Sequence, residues 1–451
     1  MKNKGLFKTI ISLAWPTMLE QLMQTAVQYI DLIMVGTLGT VATAAVGATT
    51  TVNWLVNSSI SALGVGFLSY IAKAIGAGEK EKAKKASAQA VFVTLLVGIF
   101  FTIVTLSLSN LVPVWMQVEG EVQSLAAQYF FILYTPMLFR AATTVFGTVL
   151  RAAGDTKTPM RIGLVVNLIN VIFNFILIYP TREIEIFSQK ITVFGMGMGV
   201  IGAAIASAIS FVVGGILITV ALFKHPLVSP KKQRFLPDKE ILLPCLKVAL
   251  PNMLQRFGTS LGYVFFAAMI NSLGEISTAA HTVANTVESA FYIPGYGMQA
   301  AAATLAGNAV GAKDKDKLKN LSKLLMIIET SLMILSGTLL FIFAPDMIKL
   351  FSDDQNVVAL GATVLRMVAV SEPFFGISII MEGMLQGMGK TVQPFVYNII
   401  GMWGIRIVGT FICTQILSFG LESAWACMIA HNLLLCMLFC IFWIRKSKHF
   451  I

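Results

Sequence analysis

The sequence predicts an all-α integral membrane protein of about twelve transmembrane helices, built as two pseudo-symmetric six-helix bundles, an N-lobe and a C-lobe, around a central cleft. Three observations predict it. Of 451 residues, 56% are hydrophobic and only 12% charged, and the mean hydropathy is +0.79, which is more apolar side chain than a water-soluble surface can hide. Apolar stretches recur from end to end, among them Ala90 to Val112, Val200 to Phe223, Leu321 to Phe343 and Trp425 to Trp443; each is long enough to cross about 30 Å of hydrocarbon. Finally, the chain repeats itself at one fixed offset.

The first helix is expected near residues 9–35. Its basic start, Lys2, Lys4 and Lys8, has the look of a signal peptide, but the run that follows carries Pro16, Glu20, Gln24 and Asp31 and no clear cleavage site. Helices near 43–71, 87–113, 121–149, 158–179 and 199–223 complete the N-lobe, residues 1–223. The basic stretch from His225 to Lys239, with Pro226, Pro230 and Pro237, marks a linker over 224–242. Helices near 243–271, 279–306, 320–344, 357–385, 393–418 and 423–444 form the C-lobe, residues 243–451. Those longer than about 25 residues must tilt, bend or protrude.

The connections alternate in charge. One set holds Lys73, Lys80, Lys82, Lys84 and Lys85, then Arg151 and Lys157, then Lys231, Lys232 and Arg234, then Lys313, Lys315, Lys317 and Lys319, and last Lys390; the other set is poor in Lys and Arg. Basic residues resist translocation, so the rich set and both termini are expected in the cytoplasm and the protein in the cell inner membrane. The net charge of +11 lies almost wholly in these connections. It therefore reads as topology, not as a nucleic-acid surface, and the lysines are given the role of orienting the chain in preference to binding lipid head groups or a partner. The five cysteines, Cys245, Cys413, Cys427, Cys436 and Cys440, sit in or beside apolar segments without framework spacing and read as buried free thiols.

The repeat is the most informative feature. Pro16 matches Pro251, and the same offset of 235 places Leu38-Gly39 on Leu273-Gly274, Thr43-Ala44-Ala45 on Thr278-Ala279-Ala280, Gly76-Ala77 on Gly311-Ala312, Gly154 on Gly389 and Pro159 on Pro394. Six helices per half, an even number, insert both halves in the same sense, which implies a pseudo-two-fold axis along the membrane normal. Two such bundles can rock to open a central site to either side.

Asp31 lies well inside the first helix, where an ionisable side chain costs about 2.5–3.5 kcal/mol on insertion scales. Desolvation disfavours a buried carboxylate, so such an acid is poised to take a proton from one side and release it to the other as hydration changes. Gln28 and Gln24 share its helical face. In the fifth helix Asn170 and Asn174, spaced i, i+4, present two amides that can coordinate a cation or bond either form of a carboxyl group. The second half carries Arg256, His281, Glu288, Glu372, Glu382 and Arg406 inside apolar segments. Either the arginines neutralise Glu372 and Glu382 as buried pairs, or they attract an anionic substrate.

Several segments together resemble the multidrug and toxic compound extrusion (MATE) family over nearly the whole chain: Pro16 followed by YIDLIMVGTLG (29–39), GAGEKEKAKK (76–85), LRAAGDTKTP (150–159), NLINVIFN (167–174), GVIGAAIASAIS (199–210), NAVGAKDKDK (308–317) and LQGMGKTVQP (385–394). The resemblance implies a monomeric secondary antiporter that exports small amphipathic, cationic compounds in exchange for protons or sodium ions, with no other cofactor. It places Asp31, Asn170 and Asn174 on the family's N-lobe cation site and Ser207 on a nearby hydroxyl position. Some proton-coupled members carry Asp where this chain has Asn174. Acids that other members carry in the seventh and tenth helices fall on Thr259 and Phe375 here, so a C-lobe ion site of that type is not expected; Glu372, one turn before Phe375, is a candidate substitute, and Arg256 is a candidate to line the cavity beside it.

Other readings are weaker. GMGKT (387–391) lacks the first glycine of a P-loop, since Met384 stands there, and GMGVIG (197–202) opens a membrane helix with no acidic residue about 20 positions on. A flippase of lipid-linked sugars or cell-wall precursors shares the two-bundle plan. A membrane-embedded enzyme lacks its motifs, and a passive channel lacks a selectivity-filter sequence.

Overall fold

A membrane interior offers no water to backbone N–H and C=O groups, so a spanning chain satisfies them within itself, as helix. The computed structural model describes residues 2–116, 120–186 and 189–446, and helix runs through each of the twelve expected segments. The first half contains α1 (Lys2–Gly36), α2 (Thr40–Gly76), α3 (Lys80–Leu108), a short α4 (Leu111–Trp115), α5 (Glu121–Tyr134), α6 (Met137–Ala152), α7 (Lys157–Leu177) and α8 (Gly199–Lys224). The second contains α9 (Lys239–Asn271), α10 (Glu275–Gly311), α11 (Lys315–Lys349), α12 (Gln355–Ala369) and α13 (Glu372–Gly387). It ends in α14 (Val392–Ile399), which continues through a π turn (Ile400–Ile407), α15 (Val408–Phe411) and a second π turn (Ile412–Ile416), and in α16 (Leu421–Lys446).

Among the described residues, seven helices are long and apolar enough to cross a membrane, or nine when two bent pairs each count as one span. α1, α9 and α10 are as long, at 35, 33 and 37 residues, but polar residues and internal prolines dilute them. The bent pairs are α5 with α6, at 52°, and α12 with α13, at 54°. Pro136 explains the first break, because it brings no N–H and its ring clashes with the preceding turn. Pro373 stands in the first turn of α13 at the second. The two breaks sit one repeat apart, Thr135-Pro136 against Val370-Ser371.

The repeat also shows in the backbone. Gly39 and Gly274 turn with φ of 104° and 100°, and Gly78 is matched by Lys313, with φ of 77° and 54°. The same left-handed turn is thus made once by a glycine and once by a lysine.

No element is expected between the fifth and sixth spans, yet the chain forms an antiparallel hairpin there, β1 (Pro180–Ile186) and β2 (Gln189–Met196), with Arg182 opposite Val193 and Ile184 opposite Ile191.

Packing gathers the chain into two compact units, one of Met1–Gln21, Leu68–Glu79 and Leu243–Ile451, the other of Leu22–Phe67 and Lys80–Leu242. The start of α1 and the end of α2 therefore pack with the second half, although the repeat assigns them to the first. Glycine is the reason: a Cβ at Gly76 would stand 2.1 Å from the carbonyl oxygen of Asn308, and one at Gly311 2.0 Å from that of Lys73, so the ends of α2 and α10 cross backbone to backbone. Thr17 Oγ1 donates to the Gly297 carbonyl at 2.7 Å and Ser69 Oγ to the Gly387 carbonyl at 3.0 Å. Ile10 and Ala14 join Leu305, Leu325, Met384 and Phe439 in one buried cluster, and Phe266, Leu340, Leu365 and Trp425 anchor another. In the other unit Met34, Val35, Ile178 and Val200 bury themselves together, which draws the end of α1 against α7 and α8.

Candidate functional site

That last cluster positions the polar residues one turn below it. Asp31 on α1 faces α7, where Asn174 Nδ2 donates to Asp31 Oδ1 at 2.5 Å and, when the Asn170 oxygen is turned toward it, to Asn170 Oδ1 at 3.1 Å. The two asparagines meet because four residues are close to one helical turn. Asn174 is 1% exposed and Asn170 6%, so among the described residues their amide nitrogens bond within the group formed with Asp31 and Ser207 of α8.

The Asn170 amide fits this group in two orientations. With its nitrogen toward Ser207 it donates to Oγ at 3.2 Å and turns its oxygen to Asp31. With the nitrogen toward Asp31 it donates to Oδ1 at 2.8 Å and Oδ2 at 3.2 Å, and its oxygen accepts from Ser207 at 3.2 Å. The second arrangement suits an ionised carboxylate, which only accepts; the first suits a protonated acid, which has a hydrogen to give.

Around the group, Tyr179 OH lies 2.9 Å from Thr37 Oγ1, and Arg182 of the hairpin stacks on Tyr179 and Phe175 at 4.0 and 4.4 Å. Arg140 of α6 lies on the rings of Phe211 and Tyr134 at 5.0 and 5.8 Å and leaves its Nη1 buried without a hydrogen-bond partner among the described residues. Gln24 and Gln28 are exposed and stand outside the hydrogen-bonded group.

Of the two readings of the second-half arginines, pairing with Glu372 and Glu382 does not form: among the described residues no arginine stands within 4.0 Å of either acid. Glu382 accepts instead from three amides, Gln255 and Gln386 at 2.9 Å and Asn398 at 3.2 Å. Arg256 Nε donates to Asn252 Oδ1 at 3.1 Å. Arg406 projects from the first π turn, a helix irregularity that often marks functional positions. Its guanidinium covers the rings of Phe266 and Tyr263 at 4.2 and 4.8 Å, and Nη2 reaches Met428 Sδ at 3.0 Å. Phe266 is the repeat counterpart of Asp31, so an aromatic ring under a cation occupies the place that an acid holds in the first half. Thr259 turns its hydroxyl onto the Gln255 carbonyl, and Phe375 packs edge-on against Tyr292 at 5.5 Å. Glu372 is 1% exposed with Oε2 unpartnered.

Glu329 on α11 is fully buried, with neither carboxyl oxygen hydrogen-bonded, in the space left by Gly295 and Gly376. Its signal is plain in the sequence, an ionisable residue in the middle of the apolar stretch from Leu321 to Phe343.

A family model described as MatE matches residues 16–176 and 251–412, one match in each half. The chain is 28% identical over 424 residues to a "Probable multidrug resistance protein NorM" of Thermotoga maritima, covering 94% of this chain and 89% of that protein. It is 26% identical over 420 residues to a "Probable multidrug resistance protein YoeA" of Bacillus subtilis, covering 91% and 87%. Among solved structures it is similar to one described as "Outward-facing conformation of a multidrug resistance MATE family transporter of the MOP superfamily", with a TM-score of 0.89 at 25% identity over 99% of this chain and 96% of that one. It is also similar to one described as "Crystal structure of MATE in the bent conformation", with a TM-score of 0.89 at 25% identity over 100% and 98%.

Proposed function

The chain belongs to the MatE family, and we propose that it exports amphipathic, cationic drugs or toxic compounds across the cell membrane in exchange for protons or sodium ions, Asp31 being the residue that takes up the coupling ion. One observation carries this reading: the acid of α1 meets two buried amides of α7 inside a membrane helix bundle. Such an acid is costly to insert unless its charge is used. The family relatives are named as multidrug resistance proteins, which favours a permissive drug substrate over a single metabolite.

In this mechanism the Asn170 amide follows the state of Asp31. Its nitrogen faces the bare carboxylate, and its oxygen faces the acid once a cation has arrived, since a proton and a sodium ion both seek an acceptor. Ser207 bonds the amide in either orientation. The two lobes rock to expose the site alternately to the two sides, and the chain works as a single copy with both termini in the cytoplasm. Gln24, Gln28, Arg256 and Glu372 serve the substrate cavity.

Dye efflux from inverted vesicles under an imposed proton or sodium gradient tests the proposal. The parent responds to one of the two gradients, and Asp31→Asn loses that response while still folding. Equal gradient-driven transport by parent and variant would remove Asp31 from the mechanism.

A further inference from the structure

The linker after α8 does more than join two halves. Ser229 Oγ donates to the Phe223 carbonyl at 2.7 Å, the Ser229 N–H donates to the His225 carbonyl at 3.1 Å, and the Leu227 N–H donates to His225 Nδ1 at 3.3 Å. These bonds fold residues 223–229 into a turn on the end of the helix. Farther along, Gln233 Nε2 donates to Glu81 of α3 at 3.1 Å, and Gln89 of α3 donates to the Leu236 carbonyl at 2.7 Å and accepts from the Asp238 N–H at 3.0 Å. The linker is thereby pinned along α3, and a pocket of about 410 Å³ opens between them, lined among others by Lys84, Lys224, His225, Ser229, Lys231 and Lys232.

The charge of this pocket is uneven. Lys84 is paired with Glu81 at 2.9 Å, and His225 stands 4.0 Å from Asp155. Burial holds the His225 imidazole below its ordinary range, against the pull of Asp155, so the histidine adds a hydrogen-bonding group more than a charge. Lys224, Lys231 and Lys232 are exposed, and none has an acidic partner within 4.0 Å among the described residues. Lys232 also holds a left-handed backbone, with φ of 65°, a conformation that side chains other than glycine avoid. Three lysines without an acidic partner, one with a left-handed backbone, thus line one concavity.

Its place narrows the ligand. Lys224 is the last residue of α8, an apolar span, and Phe223 beside it also lines the pocket, so the pocket lies at the level where a membrane's hydrocarbon gives way to head groups. Basic pockets at that level favour phosphate groups, which lysine binds as a point charge.

We propose that this pocket binds a phosphate group, with Lys224, Lys231 and Lys232 as its anionic ligand's counter-charges. This goes beyond the orienting role that charge distribution alone assigns to these lysines, and it is independent of the transport reading. Two sources supply the chemistry, the phosphodiester of an anionic lipid head group and free phosphate.

Native mass spectrometry of the full chain, released from mixed micelles holding equal phosphatidylglycerol and phosphatidylcholine, tests the lipid source. Thermal unfolding with inorganic phosphate against chloride at matched ionic strength tests the free anion. The parent retains phosphatidylglycerol in preference to phosphatidylcholine, and Lys224→Gln/Lys231→Gln/Lys232→Gln weakens that retention about 100-fold, at roughly fivefold per lysine. A triple Lys→Gln variant at Lys313, Lys315 and Lys317, of equal charge loss on another connection, keeps the preference. Stabilisation by phosphate without a lipid preference, lost in the pocket variant, supports the same site with the free anion as ligand. No lipid preference and no phosphate effect, or a preference that survives in the pocket variant, overturns the proposal.

Discussion

The side-chain amide of Asn170 stands 2.8 Å from Oδ1 of Asp31, close enough that its nitrogen donates to an ionised carboxylate and its oxygen accepts only from a protonated acid. Turning the amide exchanges a donor for an acceptor without moving any backbone. If that exchange accompanies coupling, Asn170→Leu removes a hydrogen bond to a charged group, worth about 1.5–3 kcal/mol, and lowers the initial rate of gradient-driven efflux about 10- to 100-fold. Ser207→Ala removes only a neutral bond and costs about 2- to 10-fold. Initial rates at matched expression give the ranking, and a larger loss in Ser207→Ala would refute it.

The pair Gly78 and Lys313 gives a cleaner measurement, because the same turn is made by different residues. A Cβ at Gly78 would meet nothing within 4 Å, so the cost of a side chain there is conformational only. Gly78→Ala should lower stability by about 1–2 kcal/mol and Lys313→Gly should raise it by a similar or smaller amount. Thermal unfolding in detergent measures both; changes of the same sign would mean that the turn is not strained at Lys313.

These turns also mark what the sequence makes legible. Pro16 and Pro251, Gly39 and Gly274, and Gly154 and Gly389 disclose the repeat because turns and close approaches tolerate few residue types. Asp31 and the Asn170/Asn174 pair are visible for a related reason, that polar groups in an apolar run must find one another. The packing of the ends of α1 and α2 with the second half is not visible, since Gly76 and Gly311 announce a close approach without naming the partner. Nor is the stacking of Arg406 on Phe266: charge suggests an acid as partner, and only the folded geometry shows an aromatic face taking that place. The hairpin over Pro180 to Met196 is a short period-two pattern between spans, too brief to stand out beside them.

The crossing of α2 and α10 predicts a steep size dependence. Gly76→Ala pushes a methyl group into the backbone at Asn308, where no side chain can swing aside, and should cost about 3 kcal/mol or more. Gly404→Ala, in the π turn where a Cβ meets nothing within 4 Å, should change stability by less than about 0.5 kcal/mol. Expression and thermal midpoint report both, and a Gly76→Ala protein as stable as Gly404→Ala would mean that the two helix ends do not touch.

Two buried acids of the second half should respond in opposite senses to the same substitution. Glu382 is held by the amides of Gln255, Gln386 and Asn398; Glu382→Met takes the acceptor from all three and leaves buried donors unpaired, a loss of about 1–3 kcal/mol for each that finds no other partner. Glu329 has no hydrogen bond to lose. Glu329→Met replaces two unpartnered buried oxygens with an apolar chain of similar length, and stability should rise by about 1–3 kcal/mol. Thermal unfolding of both variants in detergent, beside a transport assay, separates the cases. A Glu329→Met protein that is more stable but transports less would mean that the acid is kept at the expense of stability because transport uses it, whereas a fall in stability would show that Glu329 has a structural partner after all.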